Sequence, residues 1–234
     1  MQFEKIVAPT LKDLFVQQLQ EKILSGEIPI GTTLPSERDL AEQMQVSRAV
    51  INGGLEELVK RGFLEIQPRK STIVADYRRN GNMNTLIAIM DFHGGHMGND
   101  EITSILELRR ALEHLAVEHA IKHASDEDID TLNPLLNHLA QSKDTHSAAV
   151  AAFEFQHELA YIGKNRILPL IYYSFKAPVI TLWSRYVDLY GIEELCRNSE
   201  TLYQYICNRD LEHASLWIDE YLSKVINGNN PIFY

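Results

Sequence analysis

Histidine and serine side chains at particular spacings, together with isolated arginines, are the groups in this sequence that could take part in chemistry. His119 and His123 lie four residues apart in a helical pattern, a spacing that can place two imidazoles on one metal ion. His114 precedes them, but no carboxylate or further ligand stands at a matching spacing. The pair is therefore interpreted as part of a solvated helix face, and neither a metal nor another cofactor is predicted.

Arg109 stands in an otherwise apolar helical stretch, where burying an unpaired guanidinium costs free energy. Glu113, one helical turn later, can form an i,i+4 ion pair with it. Alternatively, the guanidinium can anchor an organic anion in a partly dry site. The residues leave both interpretations open. His157 follows the aromatic-rich stretch 153–156 and is expected to be a hydrogen-bonded histidine of the core or of a pocket. Several aromatic residues at helical spacings are expected to form core and part of a pocket wall: Tyr172, Tyr173, Phe175, Trp183, Tyr186 and Tyr190.

Basic residues in the first third of the chain could contact nucleic acid. Arg48 opens a predicted helix, where an arginine side chain can reach base edges or phosphates. Ser47 precedes it and can cap the helix, donate to a phosphate, or do both. Arg69 and Lys70 stand between two β-prone runs, a position that suits the minor groove or the phosphate backbone.

Three helices and a hairpin are predicted to position these basic residues. Thr10, Ser36 and Ser47 are capping residues that precede apolar residues at helical spacing. Two β-prone runs, 63–66 and 72–74, enclose a polar turn. Three helices followed by a hairpin with a basic tip are the layout of a winged helix-turn-helix.

The predicted fold is mainly α, with the winged helix-turn-helix and its small β-hairpin over residues 1–75. Residues 76–84 are polar and rich in Gly and Asn, which favours an interdomain linker. Residues 85–234 show helical periodicity with short connections and no strand signals, which predicts an all-α helical bundle.

Composition excludes several other classes of protein. The 234 residues are 45% hydrophobic and 23% charged, which is ordinary globular usage, and two cysteines are too few for a disulfide framework. No apolar run approaches a membrane span and no signal peptide is recognised, so a cytoplasmic location without a membrane partner is expected. Residues 1–80 hold equal numbers of bases and acids, so the net charge of −10 belongs to the remainder. Charge alone neither favours nor excludes nucleic acid.

Residues 34–74 resemble the winged helix-turn-helix of the GntR family of bacterial transcription regulators. The resemblance is carried by Leu34-Pro-Ser-Glu-Arg-Asp-Leu-Ala-Glu-Gln-Met44, by Val46-Ser-Arg48 and by the pattern Leu55-x-x-Leu-x-x-x-Gly-Phe-Leu64. It implies DNA contacts from the recognition helix and the wing, with these candidate residues: Arg38, Ser47, Arg48, Ala49, Asn52, Arg69, Lys70 and Ser71.

The sequence departs from the family pattern at some of these positions. Family members usually have Gly at position 45, Arg at position 52 and Gly-Arg-Gly at 69–71, where this chain has Gln45, Asn52 and Arg-Lys-Ser. The operator sequence is therefore expected to be unusual. Gly53 and Gly54 replace better helix formers, each at a cost of roughly 1 kcal/mol relative to Ala.

The second part of the chain is similar to the helical effector domain of the FadR branch of this family. Glu107-x-Arg109-x-x-Leu112-Glu113-x-x-Ala116 fits the start of that domain. Many relatives hold a metal there with one Asp and three His, and the corresponding positions are Phe153, His157, Ser199 and Tyr221. A single imidazole cannot complete such a site, so it is interpreted as lost. The resemblance suggests effector binding by Arg109, His157 and Tyr186.

The sequence thus predicts a ligand-responsive regulator rather than an enzyme. It is expected to be a repressor that binds palindromic double-stranded operator DNA as a homodimer. A small organic anion, with acyl-CoA as one candidate, is expected to control its DNA affinity. An enzyme built on the helical domain and a winged helix used for protein contacts are the alternatives.

Overall fold

The computed structural model describes residues 8–67, 71–92 and 99–227, which form two compact units with a boundary at residues 94 and 95. The described part of the first unit contains five helices and one hairpin, in the order α1 (Leu11–Leu24), α2 (Glu37–Met44), α3 (Arg48–Lys60), β1 (Leu64–Ile66), β2 (Thr72–Val74), α4 (Tyr77–Asn80) and α5 (Met83–Phe92). The two strands are antiparallel, with Leu64 opposite Val74 and Ile66 opposite Thr72. The predicted mainly α fold with a small hairpin is confirmed.

The three predicted capping residues begin the three helices. Thr10 accepts a hydrogen bond from the Asp13 amide, and the Asp13 side chain accepts one from the Thr10 amide, so α1 starts with a capping box. Ser36 and Ser47 cap α2 and α3 through their hydroxyl groups alone, each accepting from the amide three residues later. Gln45 ends α2 in the left-handed conformation, with φ 53°. This geometry explains why glycine suits the position, since glycine adopts it without the steric cost of a Cβ.

The segment 76–84, expected as a linker, instead belongs to the first unit. It contains α4 and the start of α5, and Tyr77 is 7% exposed, with its ring 5.3 Å from that of Phe63. Gln20 of α1 is buried and donates from Nε2 to the carbonyl of Ala88 in α5 at 2.9 Å. The boundary therefore lies after α5, because an aromatic side chain and a buried amide fix α4 and α5 to the winged core.

Gly54 of α3 lies against α1. A Cβ at position 54 would stand 2.2 Å from Cδ1 of Phe15, whereas a Cβ at position 53 would meet only Cδ of Lys12 at 3.5 Å. Both glycines lower helix propensity, but only Gly54 offsets this cost, because a side chain at that position would overlap Phe15. The absence of a side chain lets α1 and α3 approach closely.

Gly54→Ala is expected to lower the free energy of unfolding by about 1–3 kcal/mol, because the added methyl group overlaps the buried Phe15 ring. Gly53→Ala is its matched control, and we expect it to raise stability by up to ~1 kcal/mol through helix propensity. Urea denaturation followed by circular dichroism measures both. Equal effects of the two substitutions would show that the α1–α3 contact does not require glycine at position 54.

The second unit is a bundle of eight described helices. They are α6 (Asn99–His123), α7 (Asp126–Asp130), α8 (Leu132–Ala140), α9 (Thr145–Ile162), α10 (Leu168–Ser174), α11 (Lys176–Tyr190), α12 (Ile192–Cys207) and α13 (Leu211–Asn227). Helix α9 is the most buried, and α6, α8, α10 and α11 pack against it, while α13 packs on α6. No helix within the described ranges has the length and apolar character that crossing a membrane requires.

Breaks at Thr131, Phe175 and 208–210 divide three stretches that periodicity alone presents as continuous helices. The break at 208–210 has a clear physical reason in Arg209, which adopts φ 56°. Its guanidinium donates to the carbonyls of Ile121 at 2.9 Å and Ala124 at 2.7 Å, and it pairs with Asp126 at 2.7 Å. A cation that satisfies the last carbonyls of α6 also complements the negative end of that helix.

Candidate functional site

The N-terminal half of α3 presents one face to solvent and one to the core. Arg48, Ala49 and Asn52 are exposed, while Ile51 and Leu55 are buried. Ser47 Oγ accepts from the Val50 amide at 3.3 Å, so its capping role is present in the structure. Arg48 forms no ion pair with any residue in the described ranges. Its guanidinium is therefore available at the end of α3 that a recognition helix directs into the major groove.

Arg38 of α2 is exposed but has an intramolecular partner. Its Nε lies 2.9 Å from Oε1 of Glu42, one helical turn away, and both side chains are about two-thirds exposed. An exposed pair of this kind contributes at most about 1 kcal/mol, so a phosphate can replace Glu42 at small cost. Ser71 is exposed immediately before β2, whereas Arg69 and Lys70 lie outside the described residues.

Arg109 of α6 and Glu113 form a buried ion pair in the second unit. Nε of Arg109 lies 3.2 Å from Oε2 of Glu113, and the two side chains are 19% and 2% exposed. The other carboxylate oxygen, Oε1, accepts from Nε2 of Gln156 on α9 at 3.1 Å. The structure thus contains the i,i+4 ion pair between Arg109 and Glu113 that the sequence offered as one interpretation, and the pair is electrically neutral.

Two aromatic rings enclose the guanidinium of Arg109. Its Cζ lies 5.0 Å from the ring centre of Trp183 on α11 and 5.7 Å from that of Tyr221 on α13. Burial works against the charged guanidinium, but the neighbouring Glu113 and Tyr221 outweigh it and raise the pKa of Arg109 above its ordinary value. Arg109 is therefore positively charged at neutral pH.

A small cavity of about 30 Å³ borders this cluster. Arg109, Trp183, Tyr186 and Tyr221 line it together with aliphatic side chains of α6, α11 and α13. A second cavity of about 80 Å³ shares Tyr186 and Tyr221 with the first. The geometry combines one cationic group with aromatic and aliphatic walls, which suits an organic anion with a small apolar part.

Tyr186 belongs to the Arg109 cavity, as the sequence analysis expects, but His157 does not line it. The His157 ring stacks on Phe153 at 5.7 Å and tilts against Tyr173 at 5.8 Å. Lys176 Nζ stands over the same two rings, 5.4 Å from Phe153 and 5.8 Å from Tyr173. The structure therefore gives His157 an aromatic environment of its own.

Three further polar groups lie near Arg109; Tyr172 and Trp183 were expected as core or pocket-wall residues, whereas Gln156 was not predicted from the sequence. They are Gln156 Oε1, the Tyr172 hydroxyl and Trp183 Nε1, which are buried and have no hydrogen-bond partner among the described residues. Burial raises the pKa of Tyr172, and the charge of Glu113 raises it further. Gln156 is the only amide side chain of α9, but nothing in the sequence indicated its contact with Glu113.

The positions that hold a metal in many relatives are chemically different here. Phe153 and Tyr221 are buried, and Ser199 donates from Oγ to the carbonyl of its own helix at Leu195. In the part of the chain that the structure describes, no three His, Cys, Asp or Glu side chains come together as a metal site. His119, which the sequence pairs with His123, has its ring 5.3 Å from that of His123 and Nδ1 3.3 Å from the Gly163 carbonyl.

The fold has a winged helix-turn-helix unit with an exposed face on α3 and a helical unit with a buried cluster at Arg109. This combination is that of a regulatory protein. Residues 12–74 match the model described as bacterial regulatory proteins, gntR family, and residues 104–224 match the FCD domain. The chain belongs to the GntR family of bacterial regulatory proteins and carries an FCD domain.

Curated relatives include an uncharacterized HTH-type transcriptional regulator of Mycobacterium tuberculosis, 32% identical over 155 residues. That alignment covers 66% of this chain and 62% of the relative. The fatty acid metabolism regulator protein of Shewanella pealeana is 29% identical over 66% of this chain and 63% of its own length. The chain thus spans under two thirds of the length of these two relatives.

A similar fold occurs in the structure of Lar, which controls the expression of the Listeria monocytogenes agr system. The TM-score is 0.63 at 16% sequence identity, over 94% of this chain and 97% of that one. This likeness confirms the fold and carries no information on ligands.

Proposed function

We propose that the protein is a ligand-responsive transcription regulator that binds palindromic operator DNA as a homodimer. The observation that carries the proposal is the exposed N-terminal face of α3, with Arg48, Ala49 and Asn52 directed away from the core. Family membership and relatives named transcriptional regulators support it. One recognition helix per chain reads few base pairs, which favours two copies on a two-fold symmetric site.

Selection of genomic DNA fragments by the purified protein, followed by sequencing, tests this part of the proposal. We expect the enriched fragments to share an inverted repeat and affinity for it to fall steeply with salt concentration. Binding of random duplexes with the same affinity as the enriched fragments would contradict the proposal. Absence of any duplex binding would favour a winged helix used for protein contacts.

We further propose that the effector is a small organic anion, bound without a metal at Arg109 between Trp183 and Tyr221. The two cavities that border Tyr186 and Tyr221 hold about 30 and 80 Å³, well below the several hundred Å³ of a pocket for a large ligand. A short carboxylate therefore fits with less rearrangement than an acyl-CoA. Because some relatives are named fatty acid metabolism regulators, an acyl-CoA is tested as the alternative effector.

We propose that the protein is a repressor that releases DNA when its effector binds. Hexanoate is therefore expected to weaken operator binding, and such coupling changes affinity by about 5–150-fold. The measurement is operator affinity at fixed salt, with protein first stripped by a chelator. Hexadecanoyl-CoA is titrated in parallel. A response that disappears with the chelator and returns with zinc would contradict the metal-free site. A response to the CoA ester alone would contradict the small-anion assignment.

A further inference from the structure

We propose that the anion binds at Arg109 together with one proton, which the carboxylate of Glu113 takes up from solvent. This inference rests on the proposed function, since it concerns the same effector site. It makes Glu113 a residue that determines how effector affinity depends on pH.

The first argument is the charge of the site. Arg109 and Glu113 are neutral as a pair, and the Glu113 side chain is 2% exposed. A carboxylate that reaches the guanidinium leaves one net negative charge in a site walled by Trp183, Tyr221 and aliphatic groups. An uncompensated buried charge is costly, and a protein relieves that cost by binding a proton. Neutralising Glu113 restores a site with one cation and one anion.

The other titratable groups facing Glu113 cannot relieve that charge. Arg109 on α6 already carries its proton. Tyr172 on α10 and Tyr221 on α13 are both neutral phenols, because burial raises the pKa of each. The described neighbours from α9 and α11, Gln156 and Trp183, do not titrate. Glu113 is therefore the group among these that can accept the proton.

Gln156 is suited to both protonation states of Glu113. Its Nε2 donates to the carboxylate at 3.1 Å, while its Oε1 is buried without a partner among the described residues. Rotation of the amide by about 180° presents Oε1 as an acceptor to the hydroxyl of a protonated Glu113. The same side chain thus stabilises the carboxylate before the anion binds and the carboxylic acid afterwards.

Two buried donors without partners point independently to a missing acceptor. Trp183 Nε1 and the Tyr172 hydroxyl have no hydrogen-bond partner in the described part of the chain. Trp183 borders the Arg109 cavity, and the charges of Glu113 and Arg109 both act on the Tyr172 hydroxyl. Unpaired buried donors cost free energy, and an anion brings lone pairs that can satisfy them.

Isothermal titration calorimetry with hexanoate tests the inference on the full chain. Titrations in HEPES and in Tris, whose ionisation enthalpies differ, give the number of protons taken up. We expect about one proton per hexanoate near pH 7.5 and a Kd that rises by up to about tenfold per pH unit above it. Glu113→Gln is expected to abolish proton uptake and the pH dependence. Glu107→Gln, an exposed substitution on the same helix, should retain both.

The outcomes separate this inference from the function on which it rests. Hexanoate binding without proton uptake, or with a Kd that is independent of pH, overturns the role of Glu113 and leaves the anion site intact. If neither hexanoate nor hexadecanoyl-CoA binds, the proposed effector site itself is wrong. Should Glu113→Gln not fold, absence of proton uptake by the wild-type protein in the two buffers still overturns the inference.

Discussion

Replacing Arg109 with Met is expected to lower the free energy of unfolding of the helical unit by about 3–5 kcal/mol. The substitution leaves the Glu113 carboxylate buried, with Gln156 as its remaining described hydrogen-bond donor. It also removes the guanidinium from between the rings of Trp183 and Tyr221. Breaking a buried pair costs much more than the pair contributes, because the surviving charge has lost both water and its counter-ion.

Urea denaturation followed by tryptophan fluorescence measures this effect, since Trp183 and Trp217 both lie in the second unit. Arg110→Met is the matched control, because Arg110 is half-exposed and its Nε stands 3.9 Å from Asp219. We expect that change to cost less than about 1 kcal/mol. The double variant Arg109→Met with Glu113→Leu should recover most of the lost stability. Equal effects at positions 109 and 110 would contradict the buried pair.

Arg48→Ala is expected to weaken operator binding by about 1–3 kcal/mol, or roughly 5–150-fold in Kd. Arg48 is the first residue of α3, is exposed and has no ion-pair partner among the described residues. An arginine at this end of a recognition helix can bind a guanine with two parallel hydrogen bonds. Arg48→Lys should recover little of the loss, because an ammonium group lacks the planar fork.

The control for net charge is Arg79→Ala, which removes the same charge from an exposed site in the same unit, where Arg79 lies 3.7 Å from Asp76. Both variants are compared at one salt concentration, on the operator and on random DNA. We expect Arg79→Ala to retain operator affinity. Unchanged operator binding by Arg48→Ala would mean that α3 does not present its N-terminus to DNA.

The sequence alone determined the winged helix-turn-helix, because that fold is specified by short-range chemistry. Thr10, Ser36 and Ser47 each satisfy an amide three residues later, so the helix starts follow from neighbouring residues. The strand bounds 64–66 and 72–74 likewise lie within the expected β-prone runs. For the same reason the i,i+4 pairing of Arg109 with Glu113 was available as a prediction.

Only the tertiary structure determined which helices and strands contact one another. Periodicity cannot show that Gly54 lies against Phe15, that Tyr77 packs on Phe63, or that Arg209 ends α6 from a distance of more than 80 residues. The site at Arg109 is of this kind as well. Its buried amide, Gln156, comes from a different helix, and its two rings come from two more. Burial and charge pairing depend on which helix faces pack together, and that arrangement is set by the bundle as a whole.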